Sequence, residues 1–233
     1  MPPIAKTATA CLLAFCGPAI ASGEPLLDTT MAYSATSHYQ SHIGGRTWKS
    51  TRSIDQSHDR VRYTNPERAS DPFYIFRLDQ DVIWKVFAEN KFYAGVLLYQ
   101  EFPLSGTRSI GDPHIDQLIT VHATLASPQN LADAGQERID GQPATHFQLR
   151  RPNLSYPDQF EQYDYWVSAS GLLLKASYAG PENTRWTLEN TGLRLGAQPD
   201  DRFMPPPGYS KAGMRISWKE EKQKLEAAQR QGQ

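Results

Sequence analysis

Residues 72–96, PFYIFRLDQDVIWKVFAENKFYAGV, restrict the fold more than any other stretch. Aromatic and β-branched residues run without a helical period and are broken at Asp79-Gln80-Asp81 and again at Glu89-Asn90. That pattern predicts three antiparallel strands joined by two tight turns. Val82, Trp84 and Val86 share one face of the middle strand, and Ile83, Lys85 and Phe87 share the other. With both faces largely apolar, the sheet must be covered on both sides here. Trp84 sits at its centre.

The rest of the chain reads the same way. Five Trp, eleven Tyr and nine Phe suit pleated, half-buried surfaces better than long helices. Residues 31–43 form a first strand with Tyr33, Ala35, Ser37, Tyr39 and Ser41 on one face. Gly44-Gly45 is a hairpin turn, and residues 46–54 return with Trp48 as the packing residue. Residues 55–58 turn into the alternating strand 59–64. Further on, Asp140-Gly141 joins strands 131–139 and 143–150. Residues 151–162 read as a polar loop, and 163–168, 172–178 and 184–195 as strands. Residues 200–209, DDRFMPPPGY, close the domain, with Phe203 plugging the core and three prolines ending ladder bonding.

One internal helix interrupts the strands. Asp112 is its N-cap and Pro113 its first residue. Ile115, Leu118, Ile119, His122 and Leu125 make one apolar stripe, and Pro128 lies just past Ala126. The expected fold class is mainly β: a curved antiparallel sheet with one internal amphipathic helix.

The ends of the chain differ from its middle. Residues 1–21 read as a secretory signal peptide: Lys6, a short apolar stretch over residues 8–16, and an A-x-A site ending at Ala21. Cys11 and Cys16, the two cysteines, both lie within it. Cleavage near Ala21 leaves a cysteine-free chain with no disulfide. Lipid anchoring at Cys16 is the competing reading, disfavoured by the bulky Phe15 before it. The mainly β domain spans residues 22–210. Residues 211–233 form a charged, helix-prone tail whose apolar anchors are Trp218 and Leu225, a candidate contact for an envelope protein partner. The net charge of −1 offers no basic footprint for nucleic acid. After residue 21 no stretch is apolar enough to span a bilayer.

No catalytic, cofactor or metal constellation stands out, and the expectation is a protein that is not an enzyme. His38 and His42 lie on a strand, about 13 Å apart, without a third ligand. His122 sits on the helix stripe, where a core or boundary role is expected. His114 lies in the first helical turn, where the dipole disfavours its charged form. His58 and His146 read as surface positions. There is no G-x-S-x-G elbow, and Asp158, Glu161 and Asp164 read as solvated acids around a polar loop. Arg150-Arg151 reads as a solvated strand end. The stronger signal is aromatic: Phe76, Trp84, Phe92, Tyr93, Phe147, Trp166, Tyr178 and Trp186. They are either plain core or the wall of an apolar cavity closed by the helix.

Several strings bear on that choice. Residues 59–63 (DRVRY), 76–84 (FRLDQDVIW), 89–93 (ENKFY), GQERIDG at 135–141 with Thr145-His146-Phe147, and FMPPPGY at 203–209 together resemble the exported LolA-like proteins of Gram-negative bacteria. Within that superfamily the chain is most similar to a DUF4412-type subgroup. The resemblance covers residues 30–210. It implies a half-open antiparallel β-barrel of about ten or eleven strands with a helical lid on its concave face. It also implies a periplasmic binding or carrier protein for a lipid or lipoprotein acyl chain, in the manner of outer-membrane lipoprotein sorting. Ala88 stands where the family turn often has Pro, and no ligand-gripping residue carries over one for one. The expected cavity or lid residues are Phe76, Val82, Trp84, Val86, Tyr93, Leu118, Ile119 and Trp166. The alternative is an envelope interaction module with a filled core and no small-molecule ligand.

Overall fold

In the first strand every second residue from Tyr33 to Ser41 is buried, and in the computed structural model these side chains face the inside of a strongly curved sheet. The structure describes residues 25–80, 82–97, 112–126, 128 and 130–212; the signal segment read from sequence, with Cys11 and Cys16, and residues 213–233 of the predicted tail lie outside them. Among the described residues twelve strands form one sheet. They are β1 (Tyr33–Ile43), β2 (Arg46–Ser57), β3 (Arg60–Thr64), β4 (Phe73–Arg77), β5 (Val82–Phe87) and β6 (Phe92–Leu97). After helix α1 (Pro113–Ala126) come β7 (Ala132–Ile139), β8 (Gln142–Pro152), β9 (Phe160–Ser168), β10 (Leu173–Ala179), β11 (Arg185–Leu195) and β12 (Ser210–Lys211).

Among the described residues the order across the sheet is β12-β6-β5-β4-β3-β2-β1-β11-β10-β9-β8-β7, and the sheet does not close. Every pairing is antiparallel except β12 against β6. The Gly44-Gly45 turn has positive φ at both positions, which matches the right-handed twist of the strands it joins.

Curvature follows from what the inner face must touch. Helix residues Ile115, Leu118, Ile119, Val121 and Leu125 belong to one apolar cluster with residues from β1–β5 and β8–β11. A single helix reaches strands that far apart only if the sheet curls around it. Small inward residues on the central strands make room: Ser37 is fully buried beneath the helix, and Ala35 and Ala176 lie nearby in the same cluster.

The helix is fixed at its first turn. Asp112 Oδ1 accepts from the backbone N–H groups of His114 (3.1 Å) and Ile115 (3.3 Å), as an N-cap does. Its Oδ2 accepts from Arg52 at 2.6 Å, with both side chains about nine-tenths buried. His114 is fully buried, stacked on Tyr39 and held between Ser37 Oγ (3.0 Å, at Nε2) and Ser50 Oγ (2.9 Å, at Nδ1).

A second apolar cluster lies on the outer face. Phe73, Ile75, Val86 and Phe203 are its buried members, with Trp84, Tyr93 and Tyr209 packed against them. The 3-10 turn Asp200–Phe203 crosses the outside of the sheet here and caps it with Phe203. All five residues of β4 are buried as a result. The two-sided apolar pattern of residues 72–96 thus has a partner on each side.

Some boundaries differ from the sequence reading. Residues 151–162 are not one loop, because β8 runs to Pro152 and β9 begins at Phe160, paired across Arg151 and Glu161. The polar composition that suggested a loop belongs to strand ends whose side chains pair with one another: Arg151 with Glu161 at 2.9 Å, and Asn153 with Glu161 at 2.6 Å. The prolines after Phe203 do not end the ladder either. Ser210 and Lys211 return to pair with Phe92 and Tyr93, and the Ala212 amide donates to the Tyr93 carbonyl at 2.8 Å. Pro205–Pro207 only redirect the chain, since Pro lacks the N–H but not the carbonyl.

Candidate functional site

Between α1 and the two curled wings of the sheet lies a cavity of about 1050 Å³. One wall is the face of α1 carrying Leu118, Ile119, His122 and Ala123. The opposite walls are Val61, Tyr63 and Phe76 from β3 and β4, and Thr145, Phe147 and Val167 from β8 and β9. β3 and β8 stand six places apart in the sheet. In a flat sheet that is about 29 Å at ~4.8 Å per strand, so the cavity exists because the two wings curl toward each other.

The cavity mouth is crossed by a strap, residues 25–30, that precedes β1. The Leu26 amide donates to the Leu125 carbonyl at the end of α1, and the Asp28 amide donates to the Gly171 carbonyl in the β9–β10 turn, each at 2.9 Å. Asp28 also accepts from the Thr30 amide and hydroxyl, which tightens the strap's own bend. Polar groups of the strap and of Ser168 and Ser170 rim an interior that is mostly apolar, with Thr145 and His122 among its walls.

Two histidines mark the helix. Burial, reinforced by the nearby Arg52 charge, pushes His114 down to about 3. Burial alone pushes His122 down to about 4. Both imidazoles are therefore neutral at pH 7. His114 is a structural group, since each ring nitrogen has a serine hydroxyl. His122 faces the cavity without a hydrogen-bond partner among the described residues. Among the described residues no group of three or more His, Cys, Asp or Glu is placed to hold a metal ion.

The expected site residues divide by face. Phe76, Leu118 and Ile119 line the cavity. Val86, Trp84 and Tyr93 do not: they belong to the outer cluster under Phe203, with Trp84 edge-on to Tyr93 and Arg77 over its ring. Val82 shares their face, while Ile83 between them points inward. Strand alternation predicted that Val82, Trp84 and Val86 act together, but the pattern is equally apolar on both sides and could not say which side is concave. Trp166 is likewise outside. Its indole stacks on His146 at 4.4 Å and donates to Glu137 at 2.9 Å, while Tyr165 and Val167 face in.

His146 is not a bare surface group, as the sequence suggested: it lies between Glu137 and Asp164 on this outer face. Sequence reasoning missed the strap and the inward Val61, Tyr63, Thr145 and Val167. The clean alternation of residues 59–64 was the available signal for Val61 and Tyr63.

No family model matches the chain, so none supports the DUF4412-type subgroup, and no curated protein matches it. Solved structures do. The chain is similar to an uncharacterized conserved protein from Thermus thermophilus, with 7% identity over 79% of this chain and 91% of that one and a TM-score of 0.48. It is similar to a LolA superfamily protein from Nitrosomonas europaea, with 12% identity over 77% of this chain and 96% of that one and a TM-score of 0.39. It is also similar to LprF from Mycobacterium bovis, with 11% identity, coverage of 81% and 100%, and a TM-score of 0.38. These likenesses concern the course of the chain and assign no ligand. No helix among the described residues is long and apolar enough to cross a membrane.

Proposed function

We propose that the protein is a non-enzymatic carrier that takes the acyl chain of a lipid or lipoprotein into the cavity beneath α1, working in the periplasm after export. The observation that carries this is the apolar cavity of about 1050 Å³ between α1 and the curled sheet. A filled-core interaction module would leave no space of that size. Burying about 15 methylenes gains ~12 kcal/mol gross at ~0.8 kcal/mol each. Less an association cost of ~4 kcal/mol or more, about 8 kcal/mol remains, a Kd near 1 μM at best. A neutral His122 suits this lining, because a charged imidazole would have to be desolvated against the chain. Export is supported by the pattern of residues 1–21, and the finer role in outer-membrane lipoprotein sorting by the resemblance of residues 30–210.

The test is solvent extraction of the purified protein for bound lipid, with titration of a fluorescent fatty acid. Ala123→Trp projects an indole into the cavity and is expected to weaken the probe roughly tenfold or more. Trp84→Ala removes a ring from the other face of the sheet and is expected to leave probe affinity within about twofold while lowering stability by ~2–3 kcal/mol. No extractable lipid together with no probe binding refutes the proposal, as does loss of binding in Trp84→Ala but not in Ala123→Trp.

A further inference from the structure

The outer face of β11, β1, β2 and β3 carries a groove of about 620 Å³ whose chemistry is the opposite of the cavity's. Register sets Arg194, Ser34, Asp55 and Arg62 side by side across the four strands. Thr36, Ser53 and Thr64 form the next row, where Gly192 leaves β11 without a side chain and opens the floor. Arg202, on the 3-10 turn, leans over the first row and binds Asp55 at 2.8 Å.

Three guanidiniums and one carboxylate line the groove, and the carboxylate is taken by Arg202. Arg194 is the surplus, while Arg62 also feels the Asp55 and Asp201 carboxylates. Arg62 lies flat on the Phe73 ring and gives one N–H to the Arg202 carbonyl, but its Nε is buried with no partner. Such a group in a folded protein asks for an acceptor. Arg194 is exposed at the far end and pairs with no described residue. No hydrogen bond among the described residues engages the hydroxyls of Ser34, Thr36, Ser53 or Thr64. The arrangement is an unpaired exposed cation at one end, a second cation shared with Asp55 and Asp201 at the other, and a floor of hydroxyl donors between them.

We infer that this groove binds a phosphate-type oxyanion. A tetrahedral dianion seated on the hydroxyl floor can accept from several hydroxyls and from a guanidinium together, which a single carboxylate cannot. The phosphate belongs either to a soluble phosphate ester or to a lipid headgroup, and the chemistry recognised is the same. The site is separate from the cavity, on the other side of the sheet, so it stands or falls independently of the carrier reading.

The experiment compares inorganic phosphate with chloride at matched ionic strength by calorimetry and thermal unfolding of the full chain. Separately, phosphatidylcholine vesicles with and without phosphatidic acid are tested by co-flotation. Saturable stabilisation by phosphate supports the site. So does flotation that depends on phosphatidic acid without binding of soluble phosphate, and that result assigns the headgroup as the source. In either arm Arg194→Glu, an exposed position that leaves the fold intact, is expected to weaken binding roughly tenfold or more. Arg62→Gln is expected to do the same, though it also loses the contact with Phe73. No anion preference in either arm, or binding that Arg194→Glu leaves unchanged, overturns the inference.

Discussion

Asp112 is the residue on which helix docking most depends, and its replacement by Ala is open to a worked magnitude. One carboxylate oxygen caps two amides of the first turn, and losing a cap costs about 1 kcal/mol. The other oxygen receives the Arg52 guanidinium at 2.6 Å, with side-chain exposures of 10% and 13%. Removing one partner of so buried a pair strands the other charge and costs about 3–5 kcal/mol. Arg52 keeps only a bond to the Thr51 carbonyl, and its Nε has no partner. The expected total for Asp112→Ala is ~4–6 kcal/mol, a large part of the ~5–15 kcal/mol that stabilises a typical domain. Asp112→Ser keeps a capping hydroxyl and isolates the charge term at ~3–5 kcal/mol. Pairing it with Arg52→Met removes both charges, and the double variant is expected to recover to within ~2 kcal/mol of the parent. Urea unfolding followed by tryptophan fluorescence reads all four proteins, with unchanged slopes showing that the same surface unfolds. A cost below ~1.5 kcal/mol for Asp112→Ala, or a double variant no better than Asp112→Ser, would refute the clamp.

Acid should loosen the same helix. His114 and His122 are held at about 3 and about 4, below the unfolded value near 6.5, so the unfolded chain binds more protons between those limits. Their stabilisation is complete above about pH 6.5 and is lost as the pH falls toward 4 and below, by up to ~1.4 kcal/mol per pH unit for each group. Denaturation midpoints measured from pH 7 to 4.5 should show this, with a shallower slope in His122→Leu. An unchanged slope would mean that His122 is solvated. Gly171→Ala tests the strap: φ is +74°, and an added Cβ meets the Asp28 amide nitrogen at 2.6 Å. The expected cost is ~1–3 kcal/mol, with faster hydrogen exchange at the Leu26 and Asp28 amides. Exchange equal to the parent's would show that the strap is not latched there.

Local chemistry was enough for the elements themselves. Asp112-Pro113, the Ile115–Leu125 stripe and Pro128 fix α1 at Pro113–Ala126, the bounds it has in the structure. The glycine-bearing turns fix the hairpins, and alternation fixes which residues act as a set, as with Tyr33 to Ser41 and Val82 to Val86. Strand ends were less legible. Arg151 and Glu161 are solvated in composition but paired in space, and nothing local distinguishes those two conditions.

The side of the sheet on which each set falls was decided only by tertiary structure. A period of two is symmetric: it separates Trp84 from Ile83 without saying which one looks at the helix. The answer came from distant partners. Phe203 arrives on the outer face to bury Trp84 and Val86, and α1 fills the inner one. Phe76, Leu118 and Ile119 could be named from sequence because helix and strand patterns each mark an apolar face. The strap of residues 25–30, the pairing of His146 with Glu137 and Asp164, and the placing of Arg62 and Arg194 along one groove could not. They join residues from nine to more than a hundred positions apart, through the curl and register of one sheet. Residues 72–96 determine that a sheet covered on both faces must form here. Only the fold determines that its tryptophan supports the sheet from outside while the cavity opens on the other side.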